Sequence, residues 1–497
     1  MVRPAPRPVA ADAAAPSLTI LVAVAQLTLL PPRVEAYRRR RAGVPQSGDV
    51  PWWLRLTVPW LPIVAAVIAG EVFALAWMYR LVTASQTLED GSIIPGFNDD
   101  ALRLAATYAL PTLAAYTFLV VLADRYRPQR LWFWLLAVSW GGTAACGAAL
   151  FLNDWTSAHL AVAWWAPGYS EARVAIFVAP FVEEAAKATI LFVIAWADRG
   201  RITSRVSGIV LAGLAAVGFA FTENIIYYSR LIVYGAYNAD AGEVKQWLQA
   251  MALQRGLFYS FGHPLFTSLT GIGLALACRS RSKIVRVIAP LAGYLAAAFC
   301  HMSFNTLVSI VPAETLNIFY VAGMVPACLV LALVVVVTLH RQRRLIASRL
   351  TDYVVMGWLP ASYPALFSNC WTRTKALLIS PWHGNIWRTL QLLQTVTELA
   401  YLRDAVTRGV VDDGGLDRER ELIGRVGRLR SQRAVEDPRG LRPYLWHKRA
   451  ERLGWAPPLG LPAGTVASRR PGPVIQPVAS DGSLRYSAVD PRWGPPA

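Results

Sequence analysis

Apolar residues in this 497-residue chain gather into long runs, not the short alternating or helical-period stretches of a soluble fold. Eight runs, at about 57–79, 101–123, 131–152, 172–196, 206–228, 256–278, 286–309 and 317–339, are each long enough to cross a bilayer as a helix. A shorter apolar stretch, Ser17–Leu30, is closed by Pro31-Pro32 and followed at once by Arg38–Arg41. It lacks the small-residue cleavage site of a signal peptide and reads as an interfacial or marginal helix, a candidate ninth span. Beyond Leu350 the pattern changes. Residues 385–408 place Ile386, Leu390, Leu393, Val396, Leu399 and Leu402 on one face of an amphipathic helix, and 416–431 reads as a second, mostly charged helix. From Pro457 onward Pro, Gly and Ser dominate without periodicity, as in a disordered tail. The expected fold class is therefore all-α. It is a polytopic transmembrane helical bundle of about eight spans, with a cytoplasmic C-terminal region that is partly helical and partly disordered. The expected divisions are an N-terminal cytoplasmic or interfacial segment (1–56), a membrane domain (57–340), a basic helical region (341–455) and a tail (456–497).

Charge orients the bundle. Arg125, Arg127 and Arg130 make one loop basic. The same holds for Arg199, Arg201 and Arg205, for Arg279, Arg281, Lys283 and Arg286, and for Arg341, Arg343, Arg344 and Arg349. The alternate loops carry Glu89, Asp90, Asp99 and Asp100, then Asp154 and Glu171, then Glu314 alone. Basic loops stay in the cytoplasm, so both termini are expected there. With 55% hydrophobic and 16% charged residues, the composition suits a membrane protein and not a soluble enzyme of this size. The net charge of +18 sits in short loops and the C-terminal third, which favours contact with anionic lipid over nucleic acid. Five cysteines without paired spacing argue against a disulfide framework or a cysteine metal site.

Against this apolar background a few polar residues stand out. Glu183, Glu184 and Lys187 interrupt the run 172–196, and charges inside a membrane normally face a protein interior or a water-filled cavity. Measured at 1.5 Å per residue, Glu183 and Glu184 lie roughly 17 Å from the outer end of their helix, Glu223 and Asn224 roughly 8 Å, His263 roughly 10 Å and His301 roughly 12 Å. All of them, with Asn305, fall in the half of the membrane nearer the weakly charged loops, which is the expectation for one site opening to the extracytoplasmic face. Glu183 with Lys187, Phe219 with Glu223, and His301 with Asn305 are each four residues apart and share a helix face. Two imidazoles and a carboxylate make a ligand set for a catalytic zinc with an open position, and a further carboxylate can act as general base. Cys300 beside His301 reads as a small buried residue, since sequence neighbours on a helix point about 100° apart. Glu71 is a further intramembrane carboxylate outside any of these groupings, and the paired tryptophans read as interface-belt aromatics.

Glu183-Glu184-x-x-Lys187, Phe219-x-x-x-Glu223-Asn224, His263-Pro-Leu-Phe-Thr267 and His301-x-x-x-Asn305 occur in this order, each on its own helix. Together they resemble the motifs of the PrsW-type intramembrane metalloproteases, relatives of the CAAX prenyl endopeptidases and ABI proteins, over about residues 55–345. Those relatives have a histidine where this chain has Glu223. The resemblance implies an intramembrane endopeptidase in the plasma membrane that acts on a membrane-associated substrate, such as a single-pass anti-sigma factor, without nucleic acid. In that reading Glu223, His263 and His301 hold a divalent metal, zinc by preference. Glu183 or Glu184 activates water, Asn305 donates to the oxyanion and Lys187 steadies the carboxylate pair. A metal-free variant would use the same residues. The alternative is a transporter or proton/cation relay. An internal repeat and paired broken helices, common in that class, are missing from the sequence, and the polar residues occupy only one half of the membrane.

Overall fold

The computed structural model describes residues 60–432, apart from 88–92, 127–130, 164–169, 198–201, 203, 239, 281, 384 and 409–412. The expected N-terminal segment with Ser17–Leu30, and the tail from Pro457, lie outside the described residues. The membrane part comprises nine helices: α1 (Trp60–Thr83), α2 (Asp99–Ala123), α3 (Leu131–His159), α4 (Ser170–Phe177), α5 (Ala179–Ala197), α6 (Arg205–Asn238), α7 (Ala241–Arg279), α8 (Lys283–Ile310) and α9 (Ala313–Val355). A two-residue antiparallel pair, Gln86–Thr87 with Ile93–Ile94, closes the α1–α2 connection. Among the described residues, seven helices, all but α4 and α5, are long and apolar enough to cross a membrane, so the chain is a multi-pass helical bundle. The remaining expected span, 172–196, is present but divided at Val178. Pro180 sits at the break, where its missing N–H suits the first turn of a new helix. Glu183, Glu184 and Lys187 then place three charges within five residues of α5.

α6 forms the middle of the bundle. Val210, Leu211, Ala212, Leu214, Ala215 and Ala216 are essentially inaccessible, so its first half is buried all round. Glycine makes this possible. A Cβ on Gly208 would stand 2.1 Å from the Gly271 carbonyl oxygen of α7, and one on Gly271 would stand 2.3 Å from that of Gly208. The two backbones are in direct contact, as small residues allow in membrane bundles. At the end bearing Arg205 and Arg279, Phe133, Ile190, Ile194, Val210, Leu214 and Leu274 close into an apolar plug. The polar residues gather beyond the plug, toward the opposite end.

α9 differs from the expectation that residues 340–350 form a basic loop: it is one helix of 43 residues. At 1.5 Å per residue it runs for roughly 65 Å, about twice the hydrocarbon thickness. Its overhang packs against α10 (Tyr363–Ser368), α11 (Cys370–Ile379), α12 (Ile386–Thr407) and α13 (Asp413–Ser431). Ile346, Leu350 and Tyr353 of α9 share one core with Phe367, Leu392, Val396, Leu399, Leu422 and Val426. The apolar face expected on 385–408 therefore meets protein. This region is tied to the membrane part: Tyr126 Oη donates to the Ser368 carbonyl at 2.9 Å, and Arg373 donates to the Tyr126 carbonyl at 2.8 Å. The Arg279 and Arg349 guanidiniums both reach Asp404 of α12, at 3.5 and 3.4 Å.

Candidate active site

Glu183 and Glu184 fall on the buried side of α5, and one helical turn later Lys187 returns to them. Its Nζ lies 3.2 Å from Glu183 Oε2 and 3.0 Å from Glu184 Oε1. The same ammonium is 3.0 Å from His263 Nδ1 and sits 4.0 Å above the Phe219 ring. Lys187 is completely buried and satisfied by two carboxylates, an imidazole and a π-face.

The two glutamates have separate environments. Glu184 is fully enclosed: Thr267 Oγ1 donates to its Oε2 at 2.6 Å, while its Oε1 meets His301 Nδ1 at 3.2 Å as well as Lys187. Glu183 lines a cavity of about 350 Å³, with its Oε2 3.9 Å from His301 Nε2. His263, His301, Glu223 and Asn305 line the same cavity, which extends to Asp154, Ser157 and Ser309 at the ends of α3 and α8. Those ends lie opposite the Arg205–Arg279 end, so the cavity leads away from the apolar plug.

Residues 129–339 match the sequence model of the PrsW family, described as intramembrane metalloproteases. Over this part the chain is similar to the PrsW family. No curated protein and no solved structure matches the chain. The matched region runs from just before α3 to the middle of α9 and so contains every motif residue named from the sequence.

A metalloprotease family raises the question of which donors fit a metal. One ligand atom from each of Glu183, His263 and His301 comes within 4.8 Å of the other two. Tetrahedral zinc at about 2.0–2.2 Å from each ligand needs donors roughly 3.4 Å apart, so a modest contraction completes the set. His301 has the backing expected of a metal-binding imidazole, its Nδ1 being held by the Glu184 carboxylate. His263 has both nitrogens engaged, Nδ1 by Lys187 and Nε2 by Glu223 Oε2 at 2.8 Å, and would exchange one partner for a metal. The donor set fits a divalent cation.

Glu223 takes a second contact from a residue that the motif reading does not include. Arg255 Nη2 lies 2.9 Å from Glu223 Oε1, and its guanidinium stacks 3.5 Å above the Tyr227 ring. The expected span began at 256, which left this arginine in a loop by a single position. Asn224, fully buried, donates from Nδ2 to Ser260 Oγ at 2.9 Å. Asn305 donates to the Ala175 carbonyl at 2.8 Å and joins α8 to α4 along the cavity wall. Glu71 finds a partner outside the site, accepting from Ser139 Oγ at 3.0 Å. Cys300, expected to be buried, is exposed on α8 while His301 beside it is enclosed.

Proposed function

We propose that the chain is an intramembrane endopeptidase that hydrolyses a peptide bond of a membrane-associated protein. The observation that carries this is the convergence of Glu183, Glu223, His263 and His301 from four helices on one cavity, within a region of PrsW-family sequence. Glu183, His263 and His301 would hold a divalent metal, zinc by donor type; their mutual proximity supports Glu183 in the ligand role that the resemblance gave to Glu223. A cation bound there would supply Lewis-acid polarisation of the scissile carbonyl and a more acidic water. Glu223 faces the cavity beside His263 Nε2 and receives the proton of the attacking water, then returns it to the leaving amine. Glu184 holds His301 in one tautomer, and Thr267 fixes Glu184. Lys187 pairs with both Glu183 and Glu184 and ties the two carboxylates together. Asn305 holds the wall of the mouth and is positioned along the path of an incoming peptide.

The positive-inside pattern supports cytoplasmic termini and a cavity opening on the extracytoplasmic face of the plasma membrane. A single-pass regulator of the anti-sigma-factor type, cleaved near that face, suits such an opening. The apolar plug beneath the site disfavours a relay crossing both faces.

The test uses purified protein in detergent with fluorescein-labelled casein, with metal content measured in parallel. Glu183→Gln and His301→Ala should each lower cleavage by about 100-fold or more and reduce the bound metal. Wild-type cleavage by both variants would refute the proposal.

A further inference from the structure

α7 is not a regular helix where it meets the cavity. Ala252–Phe258 is wound as a wide π-helical turn, and Tyr259–Phe261 then tightens to a 3-10 turn before the helix resumes at Gly262. Residues eight apart on a regular α-helix differ by about 80° in direction. The wide and tight turns bring Arg255 and His263, eight apart, onto the same cavity wall. π-turns of this kind concentrate at functional sites. The neighbouring chain accommodates it. A Cβ on Gly256 would come within 2.6 Å of Tyr228 Oη and 3.0 Å of Thr112 Oγ1, and Tyr116 Oη donates to the Leu257 carbonyl.

Arg255 lies within a helix long and apolar enough to cross a membrane, where an arginine is costly unless it has a task. Both ends of its residue are bound to consecutive positions of α6. The guanidinium meets Glu223, while the Arg255 carbonyl accepts from Ser260 Oγ at 2.8 Å, which in turn accepts from Asn224. One partner of the Glu223-Asn224 pair thus holds the side chain of Arg255, and the other holds its backbone through Ser260. Tyr227, three positions C-terminal to Asn224, supports the guanidinium from its face.

We infer that Arg255 is the positioning residue of the site: it grips Glu223 Oε1 so that Oε2 is presented to His263, and the Asn224–Ser260 link fixes the turn from which it projects. The inference rests on the endopeptidase reading for its effect on turnover, and on the ion pair alone for its effect on stability. A carboxylate with a free torsion would swing between the cavity and His263; one held at Oε1 keeps a single orientation. The Asn224–Ser260 link gives the Glu-Asn pair a joint role that neither residue has alone.

Two measurements test this on the full-length protein in detergent. With fluorescein-labelled casein as probe, Arg255→Ala should lower kcat by about 100-fold with KM changed less than about threefold, the loss expected for a misplaced catalytic group. Arg255→Lys should recover at least a tenth of the wild-type rate, and Ser260→Ala should lower kcat by about tenfold. Unchanged kcat in Arg255→Ala, or a loss confined to KM, overturns the inference. The second measurement is a thermal double-mutant cycle. Arg255→Ala alone should lower Tm by about 5 °C or more, because it strands Glu223, and adding Glu223→Gln should regain at least half of that shift. Additive shifts overturn it. If the wild-type protein cleaves nothing, the endopeptidase reading fails by itself, and the cycle still decides whether Arg255 holds Glu223.

Discussion

Replacing Lys187 by Met keeps the length of the side chain and removes its charge. The wild-type ammonium stands 3.0 Å from one carboxylate and 3.2 Å from another, and no water reaches it. At an effective dielectric constant of about 20, each contact is a gross attraction of about 5 kcal/mol. Desolvating the three ions consumes several kcal/mol apiece, so the net effect of removing the cation is the cost of stranding buried carboxylates, about 3–5 kcal/mol. A domain of 150–250 residues loses about 2–4 °C of Tm per kcal/mol, which puts the Lys187→Met shift near 10 °C. Glu184→Gln added to Lys187→Met removes one stranded charge and keeps an acceptor for Thr267, so about half of the loss should return. The assay is tryptophan-fluorescence melting in lipid nanodiscs, and it needs neither substrate nor metal. A Lys187→Met protein melting within about 2 °C of wild type would refute the reasoning. So would a double variant no more stable than the single one, because the stranded-charge account requires the rescue.

Two further outcomes follow from packing. Gly271→Ala places a methyl about 2.3 Å from the Gly208 carbonyl and forces α6 and α7 apart, so Tm should fall by about 3 °C or more; Gly323→Ala, with nothing within 4 Å of the new atom, should leave the melt unchanged. Arg373 donates to the carbonyls of Tyr126 and Phe367 and to Thr397 Oγ1 at 2.8, 3.2 and 2.7 Å. Burial pushes its guanidinium down to about 10, still charged at neutral pH. Arg373→Ala orphans three buried acceptors at about 1–3 kcal/mol each, so limited trypsinolysis should cut the region after Leu350 at least tenfold faster while sparing the membrane part.

The bundle was largely legible because transmembrane helices are written in length and apolarity alone. Where the reading missed, charge was the reason. Arg341, Arg343, Arg344 and Arg349 end the apolar run and suggest a loop, yet they do not end the helix. Arg, Leu and Ala are good helix formers, and Ile346, Leu350 and Tyr353 recur at i, i+4 and i+7 to face the C-terminal core. Arg255 fell one position outside the expected span 256–278. The break at Val178 had a visible cause in Pro180, but Pro111, Pro290 and Pro326 stand inside unbroken helices of the same bundle, so sequence alone does not choose between the two outcomes.

For the site, the shared depth of Glu183, Glu223, His263 and His301 was readable from helix geometry, whereas the facing of each side chain depended on neighbours brought from other helices. His263 and Thr267 are four apart on α7 and share a face, and each serves a different part of the α5 cluster: His263 meets Lys187, Thr267 meets Glu184. Charge then separates the carboxylates. Three of them lie together with two fixed cations, Lys187 and Arg255. Arg255 compensates Glu223, and Glu184 has Lys187 at the shorter distance together with Thr267 and His301. Glu183 has the longer arm of a shared ammonium and His301 Nε2 at 3.9 Å, and one edge of it borders the cavity. An anionic oxygen compensated so sparsely in an apolar bundle is costly unless a further cation meets it. For that reason the metal role is proposed for Glu183, and Glu184 is read as the residue that orients His301.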